Sequence, residues 1–257
     1  MSTSNQERTG QRIKSLERGF DIVECLHEEG ALTVSELAEE RDIPTSTAHI
    51  YLKTLADLGY VVGESGRYEL SFRFLEHGGH VRQRSELYHL ARSEVDTLAE
   101  VTNEVSALGV PENGKRVLLY KTEGAEAVYD NPPIGEYTHM HWTALGKAIL
   151  SEFPREAVTE IVDRHGLPSR THRTIDTEAA LFDELETTRE RGYALEDEER
   201  WDGIRSVAVP ILDEESVIGA ISVSGPKHRF EHEWVESELL EHLTRSKNVI
   251  SVRLRHQ

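Results

Sequence analysis

Apolar residues recur at three- and four-residue spacing from Ile13 onward. Ile13, Leu16, Phe20, Val23 and Leu26 form one stripe up to Gly30, which predicts a first helix. Thr33 stands three residues before Glu36, a reciprocal capping arrangement that predicts a second helix over 34–41. A residue before proline is pushed out of helical dihedrals, so Asp42-Ile43-Pro44 breaks the pattern and a third helix is expected over 45–58. At about 100° per residue, Ala48, Tyr51, Leu52, Leu55 and Leu58 fall on one side of that helix, and Ser46, His49, Ile50, Lys53 and Asp57 on the other. Tyr60-Val61-Val62 and Arg67-Tyr68-Glu69-Leu70, separated by Gly63-Glu64-Ser65-Gly66, predict a hairpin.

A second helical stretch is expected over 72–102, with Leu87, Leu90, Ala91, Val95 and Leu98 on one stripe and Gly78-Gly79 as a candidate hinge. Strands are expected over 104–110, 116–122 and 127–130, followed by a loop holding Pro132-Pro133. Helices are expected over 144–151, 155–164 and 177–191. Strands over 206–212 and 217–224 flank the turn Asp213-Glu214-Glu215-Ser216, and a last helix covers 231–253. Strands and helices mix without strict alternation, which predicts an α+β antiparallel sheet with helices packed on it.

Composition changes this picture in two ways. A single cysteine, Cys25, among 257 residues excludes a disulfide scaffold. No run approaches the roughly 18 apolar residues of a spanning helix, and Met1-Ser2-Thr3-Ser4-Asn5-Gln6 lacks the pattern of an export signal, so no membrane association and a cytoplasmic location are expected. The charge is more informative. There are 47 Asp and Glu against 29 Lys and Arg, a net of −18, and Arg outnumbers Lys by 22 to 7. Such a surface predicts adaptation to high salt, with a merely acidic protein as the alternative. An acidic chain also argues against nucleic acid, and residues 1–75 themselves carry 8 basic against 13 acidic side chains.

Local chemistry answers that objection. Three short helices closed by a hairpin are too small for an enzyme core but suit a reading head. A helix enters the major groove with the outward side of its N-terminal part. Here that place holds Thr45, Ser46, Thr47, His49 and Ile50, with Lys53 behind them. Ile50 lies opposite the expected core stripe, where it would pack on a thymine methyl; the alternative is a scattered exposed apolar residue. Arg67 at the hairpin offers a phosphate or minor-groove contact, and the amides beginning the third helix can accept a phosphate oxygen without net positive charge.

Blocks of this sequence resemble the IclR family of transcriptional regulators. Ser15-Leu16-Glu17-Arg18-Gly19-Phe20-Asp21-Ile22-Val23, Leu32-Thr33-Val34-Ser35-Glu36-Leu37-Ala38, Pro44-Thr45-Ser46-Thr47-Ala48 and Leu52-Lys53-Thr54-Leu55-Ala56-Asp57-Leu58-Gly59-Tyr60-Val61 are similar to its winged helix-turn-helix head. His141-Trp142-Thr143-Ala144-Leu145-Gly146-Lys147-Ala148-Ile149-Leu150, the blocks Gly192–Glu199 and Gly203–Ile211, and Gly219-Ala220-Ile221-Ser222-Val223-Ser224-Gly225-Pro226 are similar to its C-terminal domain. The resemblance implies a homodimer, or a dimer of dimers, gripping a palindromic operator in double-stranded DNA, with a GAF-like C-terminal domain that binds a small-molecule effector, often an organic or sugar acid. Polar and aperiodic, residues 1–11 are expected to be a disordered tail, with the winged head over 12–73 and the effector domain, including a linker helix over 74–102, over 74–257. By position the resemblance puts the effector pocket on Ala127, Thr138, Ala144, Leu145, Glu196, Ser206, Ser222 and Ser224. Glu196 and Ser206 stand where some relatives carry aspartate and cysteine.

The residues say part of this independently. Ser222 and Ser224 are two apart on a strand, so both hydroxyls point to one face, and Ser206 belongs to the strand expected to pair with it. Three hydroxyls over an apolar sheet, beside the amides opening the helix near Ala144, suit an oxygen-rich ligand; the alternative is hydroxyls bonded to neighbouring backbone. Gly146-Lys147 is not a phosphate loop, since the glycine required five positions earlier is His141. His139 with His141, and His228 with His232, lack a third ligand at a recognisable spacing, so no metal and no cofactor are expected. Cys25 reads as core, and Glu196-Asp197-Glu198-Glu199 as one pocket acid followed by a solvated edge. A ligand-controlled DNA-binding regulator is the expected function, not an enzyme. The alternative is a small-molecule enzyme on the C-terminal fold with a dimerising N-terminal domain.

Overall fold

The structure is a computed structural model describing residues 12–128 and 132–256. The tail expected over 1–11 and Tyr129 and Asp130 of the strand expected over 127–130 lie outside the described residues. The chain divides into two compact units, Met1–Val81 and Arg82–Gln257.

The first unit opens with α1 (Lys14–Glu29), followed by β1 (Leu32–Thr33), α2 (Val34–Glu40) and α3 (Thr45–Asp57). The hairpin β2 (Val61–Glu64) and β3 (Arg67–Leu70) and the helix α4 (Arg73–Gln83) complete it. The expected capping box starts α2: Thr33 N–H donates to Glu36 Oε2 at 2.7 Å and Glu36 N–H to Thr33 Oγ1 at 3.3 Å. β1, which the sequence did not suggest, adds Leu32 and Thr33 to β3, giving a three-stranded sheet in the order β1-β3-β2. Ala48 and Leu52 of α3 are fully buried with Ile22, Cys25, Leu37 and Val61, whereas Leu58, expected on the core stripe, is 54% exposed. The stripe on α1 is also displaced. Ile22, Cys25 and Leu26 face the core, while Ile13, Leu16 and Phe20 are exposed. Of the expected stripe Leu26 is in the core, and Ile22 and Cys25, outside the stripe, complete the packed side, so periodicity predicted the helix but not which side packs.

The second unit begins at α5 (Glu86–Thr102), whose cap Ser85 accepts from Tyr88 N–H at 3.3 Å. The helix expected over 72–102 is therefore interrupted at Arg84-Ser85 and not at Gly78-Gly79, which lie inside α4. Glycine weakens a helix by about 1 kcal/mol, and that is not enough to break one. Then follow β4 (Val105–Glu112), β5 (Lys115–Glu123), β6 (Tyr137–Thr138), α6 (Ala144–Ser151), α7 (Arg155–His165), α8 (Glu178–Arg191), β7 (Ala194–Asp197), β8 (Ile204–Asp213) and β9 (Ser216–Pro226). The last helix consists of α9 (His232–Trp234), a π-helical turn (Val235–Leu239) and α10 (Leu240–Arg255). One six-stranded antiparallel sheet runs in the order β6-β5-β4-β9-β8-β7. Ala127 and Val128 are not in a strand, and the edge next to β5 is supplied by Tyr137 and Thr138 within the expected loop.

The two faces of this sheet differ in side-chain size. Val207, Val209, Ile211, Ile221, Val223 and Leu108 pack against α5 and α10. Ala107, Ala194, Ala208 and Ala220 look toward α6 and α8. The α6 helix is buried along its whole length, and its start lies against the chain entering it: a Cβ on Gly146 would stand 2.2 Å from the Met140 carbonyl oxygen. Gly146→Ala is expected to destabilise the second unit by about 2 kcal/mol or more, since backbone must move to admit the methyl group. Urea unfolding reads this, and an unchanged midpoint contradicts it.

Candidate functional site

On the small-residue face of the sheet, register builds a polar floor. Glu196 of β7 stands opposite Ser206 of β8, and Ser206 opposite Ser224 of β9. Ser222 stands between Ala208 and Ala107. The three hydroxyl residues therefore converge, as their spacing predicted. With Ala144, Leu145 and Thr143 at the N-terminus of α6 they line a cavity of about 50 Å³. That is room for a few waters or a small ligand.

Six of the eight expected pocket residues are on its wall: Ala144, Leu145, Glu196, Ser206, Ser222 and Ser224. The other two are not. Thr138 is buried on β6, where its Oγ1 accepts from Trp142 Nε1 at 2.9 Å, and beside Ala127 it is Val128 that reaches the wall. The sequence reading missed Arg116, Lys121, Arg200 and Trp201, all of which line the cavity. Arg116 Nη2 donates to Glu136 Oε2 at 3.0 Å and Arg200 Nη2 to Glu136 Oε1 at 2.9 Å, so one carboxylate bridges two guanidiniums. Arg170 stacks 3.9 Å from the centre of the Trp201 ring.

Glu196 is 2% exposed. Its Oε2 accepts from Ser206 Oγ at 2.8 Å and its Oε1 from the amides of Glu199 at 3.1 Å and Arg200 at 3.2 Å. Burial outweighs these bonds and holds its carboxyl up at about 7. Glu199, expected on a solvated edge, is instead buried and bonded to Lys147 Nζ, which also lies 3.3 Å from Glu184 Oε1. Only Asp197 and Glu198 answer to that expectation in part, as half-buried members of a network with Arg173, Arg205 and Lys227. The rings of His139 and His141 meet edge-on at 5.5 Å, and His141 Nε2 donates to Pro168 O at 3.1 Å. Among the described residues no three His, Cys, Asp or Glu side chains are grouped to hold a metal.

In the first unit, Thr45, Ser46, His49, Ile50 and Lys53 of α3 are exposed and Thr47 is half-buried. No side chain caps this helix, whose N-cap is Pro44, so its first amides remain for an outside acceptor. Ile50 stands at the border of a second surface. Together with Leu16, Phe20, Leu58 and Phe74 it lines an open apolar groove. Arg67 is exposed but held by the protein: Nη2 donates to Ala31 O at 2.6 Å and Nη1 to Glu36 Oε1 at 3.3 Å, stapling β3 to the start of α2. Tyr60, just past α3, holds α4 through its hydroxyl to His77 Nε2 at 3.0 Å and its ring against Phe74.

Comparison with known proteins follows the same division. The family described as "IclR helix-turn-helix domain" matches residues 15–65, and "Bacterial transcriptional regulator IclR C-terminal" matches residues 79–252. The "Probable HTH-type transcriptional regulator ArcR" of Halobacterium salinarum is 32% identical over 95% of this chain and 95% of its own length. The transcriptional repressor IclR of Escherichia coli is 32% identical over 86% of this chain and 82% of its own. Among solved structures, the IclR protein of Thermotoga maritima superposes with a TM-score of 0.76 at 29% identity, covering 95% of this chain and 99% of that one.

The buried acid makes stability depend on pH. Glu196 titrates at about 7 when folded, against a model-peptide value of 4.5, so between those limits the folded chain binds more protons than the unfolded one. Its contribution therefore falls as pH rises through this window. Glu196→Gln should gain on the wild type by about 3 kcal/mol between about pH 4.5 and pH 8, read by urea unfolding at each pH. A difference that does not change with pH contradicts the assignment.

Proposed function

The chain belongs to the IclR family of DNA-binding transcriptional regulators, and on that premise we propose that it reads a palindromic operator with α3 while a small organic or sugar acid bound over the β7-β8-β9 floor controls it. The observation that carries the first half is the outward side of α3: exposed Ser46, His49 and Lys53 beside an uncapped helix start. Phosphate contacts need local donors and not a net positive molecule, so an overall charge of −18 is compatible with binding. Thr45 and Thr47 would hold phosphate at the helix entry, and Ile50 would touch base at the margin. Arg67 at the wing would contact DNA only by giving up its bond to Ala31 O. The second half is supported by hydroxyls, a buried acid and two arginines around one small space. The six-stranded sheet covered by helices on both faces supports a GAF-like reading of this domain. The winged head would occupy 12–73 and the effector domain 74–257. The family is regulatory, which counts against the enzyme alternative.

We further read the molecule as a cytoplasmic homodimer adapted to salt. The apolar groove holding Leu16, Phe20 and Leu58 supports a second copy there, since a palindrome calls for two heads related by two-fold symmetry. The excess of carboxylates supports salt adaptation. Sedimentation across a potassium chloride series should give twice 29.1 kDa at molar salt. A 29.1 kDa species at every salt concentration contradicts the dimer, and unfolding as salt rises contradicts the adaptation.

Footprinting of the promoter upstream of its gene, at high and low potassium chloride, should show a protected palindrome. In anisotropy titrations Lys53→Ala should weaken every site by a similar factor, as loss of a phosphate contact does. Ile50→Ala should relax preference at one base pair by about 1 kcal/mol. If Ile50→Ala instead weakens all sequences equally, the residue serves the groove and not the base. No protected sequence at either salt sinks the regulator reading.

A further inference from the structure

Among the described residues the cavity wall carries one acid, Glu196, and a second charge bound in so small a space is its near neighbour. Glu196 is aimed into a volume of about 50 Å³, with both of its oxygens already accepting hydrogen bonds from Ser206, Glu199 and Arg200. The charged groups facing it come from every packed element. Glu199 and Arg200 follow β7; Lys147 of α6 is bonded to Glu199 and neighbours Glu184 of α8; Arg116 and Lys121 come from β5; and Glu136 bridges Arg116 and Arg200. β8 and β9 bring the hydroxyls of Ser206, Ser222 and Ser224, while Arg205 of β8 is paired with Asp197 at 3.0 Å.

A carboxylate seated on the Ser206 and Ser222 hydroxyls shares a wall with Glu196, at a separation on the order of 6 Å. At that separation and an effective dielectric near 20, repulsion favours protonation of one of the two groups by roughly a hundredfold. Burial has already brought Glu196 to about 7, so little more is needed for it to be the group that takes the proton.

We propose that Glu196 is a specificity-determining residue that makes the site bind a small monocarboxylate together with one proton, the ligand and Glu196 then sharing a single negative charge. This rests on the reading of the cavity as the site of an acidic metabolite. The charges balance: the ligand anion, the Glu196 carboxylate and one hydrogen ion from the buffer enter, and a complex one charge less negative than its parts results. The linkage gives the regulator a higher affinity for its acid at low pH. It also favours acids over the corresponding amides only where a proton can be drawn from solution.

The test is calorimetric titration of the full chain with lactate, pyruvate and benzoate at about pH 8, in phosphate and in Tris, whose differing ionisation enthalpies reveal the number of protons taken up. An acid that binds should take up close to one proton, and its affinity should fall about tenfold per pH unit above about pH 7. Lactamide, pyruvamide and benzamide should take up none. In Glu196→Gln the uptake should vanish and the affinity should become level with pH. Binding of an acid to the wild type without proton uptake overturns the inference and leaves the cavity reading intact. So does uptake that persists in Glu196→Gln. Failure of all three acids to bind at any pH removes the cavity reading itself, and the inference with it. The wild-type proton count stands whether or not the variant folds.

Discussion

The absence of bulk on one face of one sheet governs the effector unit. Where β4, β7, β8 and β9 turn toward α6 they carry Ala107, Ala194, Ala208, Ala220 and three serines. Their opposite face is filled by valine, isoleucine and leucine. Side chains alternate across a strand, so the two compositions are interleaved residue by residue in the same strands. Alanine and serine leave a gap that the helix above cannot close, because Gly146 already brings α6 into contact with Met140 backbone. The cavity and its hydroxyl floor descend from that choice of side chains, and the burial that raises the pKa of Glu196 goes with them.

The reading unit is governed by a different constraint, economy of surface. It is small, and its helices use more than one side. On α1, Ile22, Cys25 and Leu26 make the core while Ile13, Leu16 and Phe20 are left outside. On α3, Ala48 and Leu52 are buried, Ser46, His49 and Lys53 face outward, and Ile50 and Leu58 join the apolar groove. Core, outward polar side and apolar groove thus share two helices, and Ile50 lies at the edge of the groove.

Much of this was legible in the sequence. Elements with strong local signals came out within a residue or two: α2 from its capping box, α6 from an apolar run with Thr143 in front, β8 and β9 from alternation around an acidic turn. Period-two geometry put Ser222 and Ser224 on one face, and the register of β8 on β9 brings Ser206 to them. What escaped depended on tertiary partners. β7 is a four-residue strand with two acids, a poor strand by composition, and exists because β8 lies beside it. Arg116 alternates with Leu118 on a buried face, yet an arginine in a strand reads as surface until Glu136 is seen to meet it. Glu199 reads as solvated until Lys147 does the same. The Gly78-Gly79 pair reads as a break, whereas the chain breaks at Arg84-Ser85, where a serine offers a cap. On α1 two apolar stripes compete, and periodicity carries no information about which one is inside.

Control of operator binding by an acid, as proposed, requires that affinity for the acid and affinity for the operator be coupled. Coupling between two sites is reciprocal, so whatever the acid does to operator affinity the operator must do to acid affinity. The direct measurement is the dissociation constant of whichever of lactate, pyruvate and benzoate binds, for the protein alone and for the protein saturated with its footprinted operator. The account predicts that the two differ by about fivefold or more. Equal constants would contradict it, since a ligand with the same affinity for both states controls neither.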